Sequence, residues 1–371
     1  MISTIEFYCK NNLAAILQGN EKGIIKVDVK EKDLLPLILQ NNPTPDNFNK
    51  WIQKRKIPEA RIELKATRLA FGTNWQKSNN LQSLTDHYWM KKEKSPAQYN
   101  KINFFNNRYS LDVGDAFFKP WEVKGKINSF SPDITTNGIL KKRWKQKKDN
   151  TSILIKAGAF DMCQDPMYEV LASKVIQEYG LETVLYSLTT EGIELCSMCD
   201  NFITSNTEFV PASYIYFLEE RPENVTVYDH LINMSKKLEI KDFDLFLNDM
   251  INIDHKLGNT DRHLGNFGCI MDVESRKILG PAPLFDSGSS FADIASLLSS
   301  NYTQDKFKPN SLNRGVFFDV EKQVVKNHKQ IKDIKKYKDI INDYPFFSEQ
   351  KKENLIQLLR TNKIPDQELL R

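Results

Sequence analysis

No stretch of the sequence approaches the roughly 20 consecutive apolar residues that a membrane-spanning helix requires, and the opening residues MISTIEFYCKNN carry neither a basic leader nor the long apolar core of a secretory signal. A membrane partner is therefore not expected, and the chain reads as cytoplasmic. Cysteine is scarce. Its five residues, Cys9, Cys163, Cys196, Cys199 and Cys269, are odd in number and scattered, which argues against a disulfide framework. Cys196 and Cys199 form a lone CxxC without a second CxxC or a close histidine pair, so structural zinc is not expected. Charge of one sign is missing too: 52 basic against 48 acidic residues leave +4, which suits a solvated surface and does not point to direct nucleic-acid binding. No internal repeat of fixed period is present.

What remains is an ordinary soluble composition, 40% hydrophobic and 27% charged, on a chain of 371 residues, long enough for two or three cooperating lobes. The texture suggests three regions, 1–121, 122–217 and 218–371. In the first, ISTIEFY, LAAILQ and GIIKVDV are broken by Asn-Asn, Gly-Asn and Lys-Gly pairs and read as a strand meander, followed by helical segments near Asp33–Gln40 and Asn47–Phe71. The aromatic segment LTDHYWMKKEKSP and the stretch WIQKRKIPEARIEL read as packing elements.

The second region opens with the loop FSPDITTNG, then a basic run, Lys141–Lys148, holding six basic residues around Trp144. That run reads as a solvated hairpin face, the alternative being a grip on RNA, an acidic partner or nucleotide phosphate. The apolar strand TSILIKAG follows. A helix comes next, with Asp165 as its cap, Pro166 in its first turn, an apolar stripe Tyr168, Leu171, Ala172, Val175, Tyr179 and a stop at Gly180. Strands are expected at Thr183–Ser187, Gly192–Cys196 and Glu208–Tyr216. From about Leu218 onward helical periodicity dominates, in DHLINMSKKLEI, FDLFLNDMINI and FFSEQKKENLIQLLR. A β-rich lobe followed by an α-rich lobe is a bilobal α+β plan.

The segment INIDHKLGNTDRHLGNFGCIMDVESRKILGPAPLFDSGSSF carries the chemistry. A helix ending near Ile253 delivers the chain into the polar loop GNTDRHLGN, where Asp261 is available as a base or orienter. Strands Phe267–Val273 and Ile278–Phe285 then form a hairpin turning in Glu274–Lys277, with Asn266 and Asp286 equidistant from residue 276 and so closed toward each other. An amide oxygen beside a carboxylate is a hard-oxygen pair suited to Mg²⁺, which keeps several waters and takes one or two protein carboxylates plus substrate phosphates. Singly, such loop residues merely make turns; in this order they describe a phosphoryl-transfer site.

At these residues the sequence resembles a known family: GNTDRHLGNFG followed by PLFDSGSS looks like the catalytic core of the HipA-like serine/threonine kinases. It also resembles the Asp-Arg-His-x-x-Asn loop of the phosphoinositide lipid kinases. The resemblance is strongest from Gly258 to Ser290 and extends upstream through SPDITTNGILKKRW, SILIKAG, MYEVLASKV and TEFVPASYI. It implies a protein-kinase-like fold in which a β-rich N-lobe (122–217) and a helical C-lobe (218–371) follow a small α/β accessory region (1–121). Asp261 would be the catalytic aspartate, and Asn266 and Asp286 the Mg²⁺ ligands, Asp286 standing in Asp-Ser-Gly where kinases carry Asp-Phe-Gly. His263 is more compatible with holding the loop than with proton transfer.

The resemblance further implies ATP contacts. Lys156, costly in an apolar strand unless its ammonium finds a partner, would meet nucleotide phosphate, and Glu169 would hold it there as the strand lysine and helix glutamate do in protein kinases. A solvated ion pair is the alternative. The loop Ser129–Lys142 contains only Gly138, a poor match to Gly-x-Gly-x-x-Gly, yet by similarity it would cover the phosphates with its backbone N–H groups, placing Gly138 and Lys142 among the ATP contacts. Thr135 aligns with the loop serine that HipA-like kinases autophosphorylate, with Ser131 and Thr136 as neighbouring candidates. The expected activity is a Ser/Thr protein kinase, a toxin or regulator acting on a protein substrate and partnered by an antitoxin or regulator protein. The alternatives are a phosphoinositide-type lipid kinase and a nucleotide-binding pseudokinase scaffold.

Overall fold

The computed structural model describes residues 2–58, 61, 80–123, 127–158, 164–291 and 334–361. Cys163 and positions 62–71 of the expected helix lie outside them. The chain forms two compact units. One comprises Met1–Ala157, Thr189–Val210 and Ile270–Ile278; the other comprises Gly158–Leu188, Pro211–Cys269 and Leu279–Arg371. The first holds two four-stranded sheets with short helices, and the second is mainly helical.

In the first unit the expected meander becomes β1 (Ser3–Cys9), β2 (Asn12–Asn20) and β3 (Gly23–Val29), paired antiparallel. Gly23 opens β3 at φ 135, and a Cβ there would lie 2.5 Å from Asn49 Oδ1, which accepts the Ile24 N–H at 2.8 Å. Strand β4 (Tyr88–Lys92) takes the far edge of β1, giving the order β3–β2–β1–β4. Phe7 stacks on Tyr88 with ring centroids 5.9 Å apart and meets Phe48 and Trp51 of α1 (Pro45–Lys54) edge-on at 5.6 and 5.5 Å. Trp51 and Tyr88 of the two segments are thus packing elements. His87, one residue before β4, is buried: its Nε2–H donates to the carbonyls of Thr207 at 2.9 Å and Thr204 at 3.1 Å, so Nδ1 accepts the Tyr99 hydroxyl.

A second sheet contains β5 (Lys142–Gln146), β6 (Ser152–Ala157), β7 (Tyr186–Glu191) and β8 (Glu194–Asp200), ordered β5–β6–β8–β7. Its pleat sorts the side chains of β6. Ile153, Ile155 and Ala157 face helix α2 (Asp112–Phe118), which buries Val113, Phe117 and Phe118 against them. Each such side chain contributes about 1.5–3 kcal/mol of burial. Leu154 packs on the other face with Trp144, Phe104 and Tyr109. Cys196 and Cys199 are three residues apart on β8 and so point to opposite faces: Cys196 joins the α2 core and Cys199 pairs with Leu154. The CxxC therefore cannot close on one ion.

The basic run is only in part a solvated face, with Lys147 and Lys148 exposed. Lys142, Arg143 and Trp144 are buried, because alternation along β5 turns Arg143 toward α2 and Trp144 into the opposite core. Arg143 Nη1 bonds Asp115 and, at 2.9 Å, Glu191, which also takes Lys145. Gly114 makes room for this: a Cβ there would lie 2.7 Å from Arg143 Nε, 2.9 Å from Arg143 Cβ and 2.8 Å from Asp133 Oδ2.

Strands β9 (Thr207–Pro211), β10 (Gly268–Asp272) and β11 (Ile278–Pro281) form a third sheet, ordered β11–β10–β9, within which the chain passes from one unit to the other. The single strand expected over Glu208–Tyr216 is therefore wrong. Proline has no N–H to continue a ladder, so Pro211 ends β9 and leads into a short helix. Arg276, at the hairpin turn with φ 57, donates to the Tyr88 hydroxyl at 2.6 Å, to Glu208 Oε1 at 3.2 Å and to the Asp33 carbonyl at 2.9 Å.

The helices of the second unit are α3 (Gln164–Glu178), α4 (Ala212–Tyr216), α5 (Val227–Lys237), α6 (Phe243–Leu257), α7 (Lys335–Asn342) and α8 (Glu349–Thr361). Asp165 lies inside the first turn of α3 rather than before it, whereas Gly180, at φ 81, does follow the helix end. The expected stripe is buried at Tyr168, Leu171, Ala172 and Val175, and the Tyr168 ring lies 5.7 Å from Phe347 and 5.8 Å from Phe291. Thr226 caps α5 by accepting the Asp229 N–H at 3.0 Å. Among the described residues no helix is long and apolar enough to cross a membrane, and Cys9, Cys196, Cys199 and Cys269 are buried free thiols.

Two stability measurements test this packing. Gly114→Ala exchanges glycine for the better helix former by about 1 kcal/mol, yet it is expected to destabilise by about 1–3 kcal/mol through overpacking against Arg143 and Asp133; a Tm equal to wild type would contradict the close approach. Burial holds the His87 imidazole well below its ordinary 6.5, at about 4. Between these values the unfolded chain binds more protons than the folded one, so stability present above pH 6.5 is lost as pH falls toward 4. Urea unfolding should show a contribution on the order of 1–2 kcal/mol disappearing between pH 7 and pH 5, and His87→Asn should flatten that slope.

Candidate functional site

Helix α6 presents Leu247, Met250, Ile251 and Asp254 at helical spacing, all buried. An acid in an apolar stripe is tolerated only with a charged or hydrogen-bonding partner, and the partner is supplied by the loop that follows. The helix runs past the expected end near Ile253 and stops at Gly258, whose left-handed φ of 63 allows a paired termination: its N–H donates to the His255 carbonyl at 3.2 Å, and the Asn259 N–H to the Asp254 carbonyl at 2.9 Å. Asn259 then turns inward and donates its amide to Asp254 Oδ1 at 2.8 Å.

Arg262 completes the arrangement. Its fully buried guanidinium has five N–H groups, and each is matched. Nε and Nη2 grip Asp254 Oδ2 and Oδ1 at 2.7 and 2.9 Å. Nη1 donates to the carbonyls of Asn266 at 3.0 Å and Phe285 at 2.7 Å, and Nη2 also reaches Ser287 Oγ at 3.0 Å. Burial works against this charge, but the Asp254 and Asp286 carboxylates outweigh it and hold the guanidinium above its ordinary range.

The Asn266 backbone and the two residues flanking Asp286 therefore meet around one cation. The Asn266 side chain closes the loop on itself, donating to the Asp261 carbonyl at 2.8 Å and accepting the His263 N–H at 2.9 Å. His263 Nδ1 accepts the Gly265 N–H at 3.0 Å, a bond internal to the loop. The first amides of α4 bind the same loop from outside, Ser213 N–H to the Leu264 carbonyl at 2.8 Å and Ala212 N–H to the Phe267 carbonyl at 2.9 Å. The hairpin closes with Ala282 N–H on the Gly268 carbonyl at 2.9 Å, and the chain continues past Leu284, which exchanges bonds with Glu182 and Val184. Asp286 follows in the left-handed region, φ 57, with its N–H on the Tyr186 hydroxyl at 3.4 Å. Asp261 and Asp286 are both half-buried. Glu169 is buried on α3 in this unit, its carboxyl carbon 3.6 Å from where a Cβ on Gly288 would stand.

These donors fit a hard divalent cation. A carbonyl-type oxygen has two lone pairs, and Asn266 Oδ1 uses one on the His263 N–H; the Asp286 carboxylate is held on the neighbouring segment and keeps partial solvent access.

In the first unit, antiparallel register sets Lys142 directly opposite Lys156. Like charges facing across a strand pair are unfavourable, and both lysines are mostly buried. Gly138, at φ 101, lies against the same cation, since a Cβ there would sit 2.3 Å from Lys142 Nζ. The loop between is folded inward in this conformation. Pro132–Thr135 is a buried 3₁₀ turn; the Ser131 hydroxyl donates to Asp133, the Thr135 hydroxyl to the carbonyls of Gln82 and Pro132, and the Thr136 hydroxyl to Pro132 while accepting Trp144 Nε1–H. The N–H groups of Asp133, Thr136 and Gly138 bond to Ser131 Oγ, the Asp133 carbonyl and Asn137 Oδ1. These three of the backbone groups expected to cover phosphate are thus engaged within the loop.

Sequence reasoning left Arg262, Asp254 and Asn259 without roles. The acid at position 254 in an otherwise apolar helical stripe was the available signal.

Set beside known proteins, the sequence matches no family model and no curated protein. Among solved structures, the Helicobacter pylori proinflammatory kinase CtkA is 21% identical with a TM-score of 0.44, the match covering 59% of this chain and 88% of that one. HipA of the Shewanella oneidensis MR-1 toxin–antitoxin system, solved with HipB and its operator DNA, is 12% identical with a TM-score of 0.56 over 97% of this chain and 96% of its own. The fold of this chain is accordingly similar to that of HipA.

Proposed function

We propose that this chain is an ATP-dependent protein kinase of HipA-like type, transferring the γ-phosphoryl group to a serine or threonine hydroxyl of a protein. The observation that carries the reading is the convergence of Asp261, Asn266 and the Asp286 segment around the buried Arg262, on a chain with the fold of HipA.

Mg²⁺ held by Asn266 Oδ1 and the Asp286 carboxylate would neutralise charge on the ATP phosphates. Asp261, five residues before Asn266 and tied to it through its carbonyl, takes or orients the proton of the acceptor hydroxyl. Lys142 and Lys156, which face each other across β5 and β6, would bind the polyphosphate oxygens, and Gly138 lets the chain pass close to Lys142. Glu169 lies beside the Asp286 segment in the same unit. Phosphorylation at Ser131, Thr135 or Thr136 follows only when the loop leaves its inward conformation, because all three hydroxyls are bonded there. Since the HipA of similar fold was solved with HipB, an antitoxin or regulator protein is the kind of partner proposed here.

With radiolabelled ATP and Mg²⁺, label is expected on protein and none on phosphoinositide vesicles. Asp261→Asn should lower kcat by about 10²–10⁴-fold; Asp286→Asn should abolish activity at millimolar Mg²⁺, and Lys156→Met should act mainly by raising KM for ATP. Transfer by Asp261→Asn and Asp286→Asn at the wild-type rate would refute the assignment. Mass spectrometry of protein incubated with ATP tests the three loop hydroxyls.

A further inference from the structure

The backbone at Asp286 is strained. A left-handed φ of 57 at a residue other than glycine persists only when its surroundings impose it. The imposing groups flank it on both sides: the carbonyl of Phe285 and the hydroxyl of Ser287 both bond the Arg262 guanidinium, at 2.7 and 3.0 Å. The same Nη1 that holds Phe285 also holds the Asn266 carbonyl, so the two chain segments are fixed to one nitrogen. Asp254, gripping Nε and Nη2 side-on, leaves the guanidinium no freedom to rotate.

We propose that Arg262 is a positioning residue, which holds Asp286 in its strained conformation and so sets the Asp286 carboxylate in register with Asn266. This rests on the kinase reading of the same residues. Charge alone does not perform the role. A lysine would preserve the positive charge opposite Asp254, but its single nitrogen cannot span Asp254, the two carbonyls and the hydroxyl at once. Residue 286 then relaxes out of the left-handed region, and Asn266 keeps its own loop bonds to Asp261 and His263.

The test combines two readouts on the full chain. Hydrogen exchange followed by mass spectrometry on wild type, Arg262→Lys and Ser287→Ala reports the segment 284–290 without reference to any activity. Exchange there is expected to rise in Arg262→Lys and, less, in Ser287→Ala, while α5 stays as protected as in wild type. Mn²⁺ titration followed by electron paramagnetic resonance, with a non-hydrolysable ATP analogue, is expected to show affinity lowered by ~10–100-fold in Arg262→Lys. Unchanged exchange in both variants would overturn the clamp. Mn²⁺ binding that survives a loosened 284–290 segment overturns only the link to Asp286, whereas a wild type that binds no Mn²⁺ with nucleotide ends the kinase reading and this inference together. If Arg262→Lys does not fold, Ser287→Ala decides by the same criteria.

Discussion

The ion pair between Asp254 and Arg262 is the constraint on which the second unit's site depends. Burying either ion alone costs several kcal/mol, and their mutual attraction offsets that cost only if the remaining hydrogen-bonding capacity is met. Here it is met completely, and the groups that meet it are the backbone of Asn266, the backbone of Phe285 and the hydroxyl of Ser287. The requirement to satisfy one guanidinium therefore dictates where two distant stretches of chain must lie. Helix α6 brings Asp254, its glycine stop brings Asn259 alongside, and the loop has little choice in its path.

The first unit solves a similar problem by other means. Arg143 is drawn into the sheet by strand alternation and is neutralised by Asp115 and Glu191, with Gly114 yielding the space. Arg276, on the hairpin turn, is matched by Tyr88, Glu208 and the Asp33 carbonyl. Buried guanidinium groups thus fix strand edges and loop ends in both units, where apolar contacts alone would permit sliding, because a planar fork demands specific acceptor positions.

Similarity of fold to HipA at 12% identity says that the layers and connections can be built from largely different side chains. It does not by itself assign chemistry, since folds host many activities. The functional argument therefore stands on the placement of Asp261, Asn266 and Asp286, and the fold supplies a frame in which such a placement is reasonable.

Much of this was legible in the sequence. Alternation and turn pairs located β1, β2 and β3; helical stripes located α3, α5, α6 and α8; and the two short runs flanking Glu274–Lys277 located the hairpin, all being consequences of local periodicity. Other features depended on contacts distant in sequence. The inner part of the basic run turned inward because Asp115 and Glu191 awaited Arg143, and the strand through Glu208 broke at Pro211, after which the Ala212 and Ser213 N–H groups bond the loop carbonyls of Phe267 and Leu264. The sequence by itself determined which residues could carry the chemistry, because their types and order suffice for that. Only the tertiary structure decided how they are held, because the partner that Asp254 needs and the strain Asp286 bears arise when segments eight and more than twenty residues from Arg262's two sides close on a single buried charge.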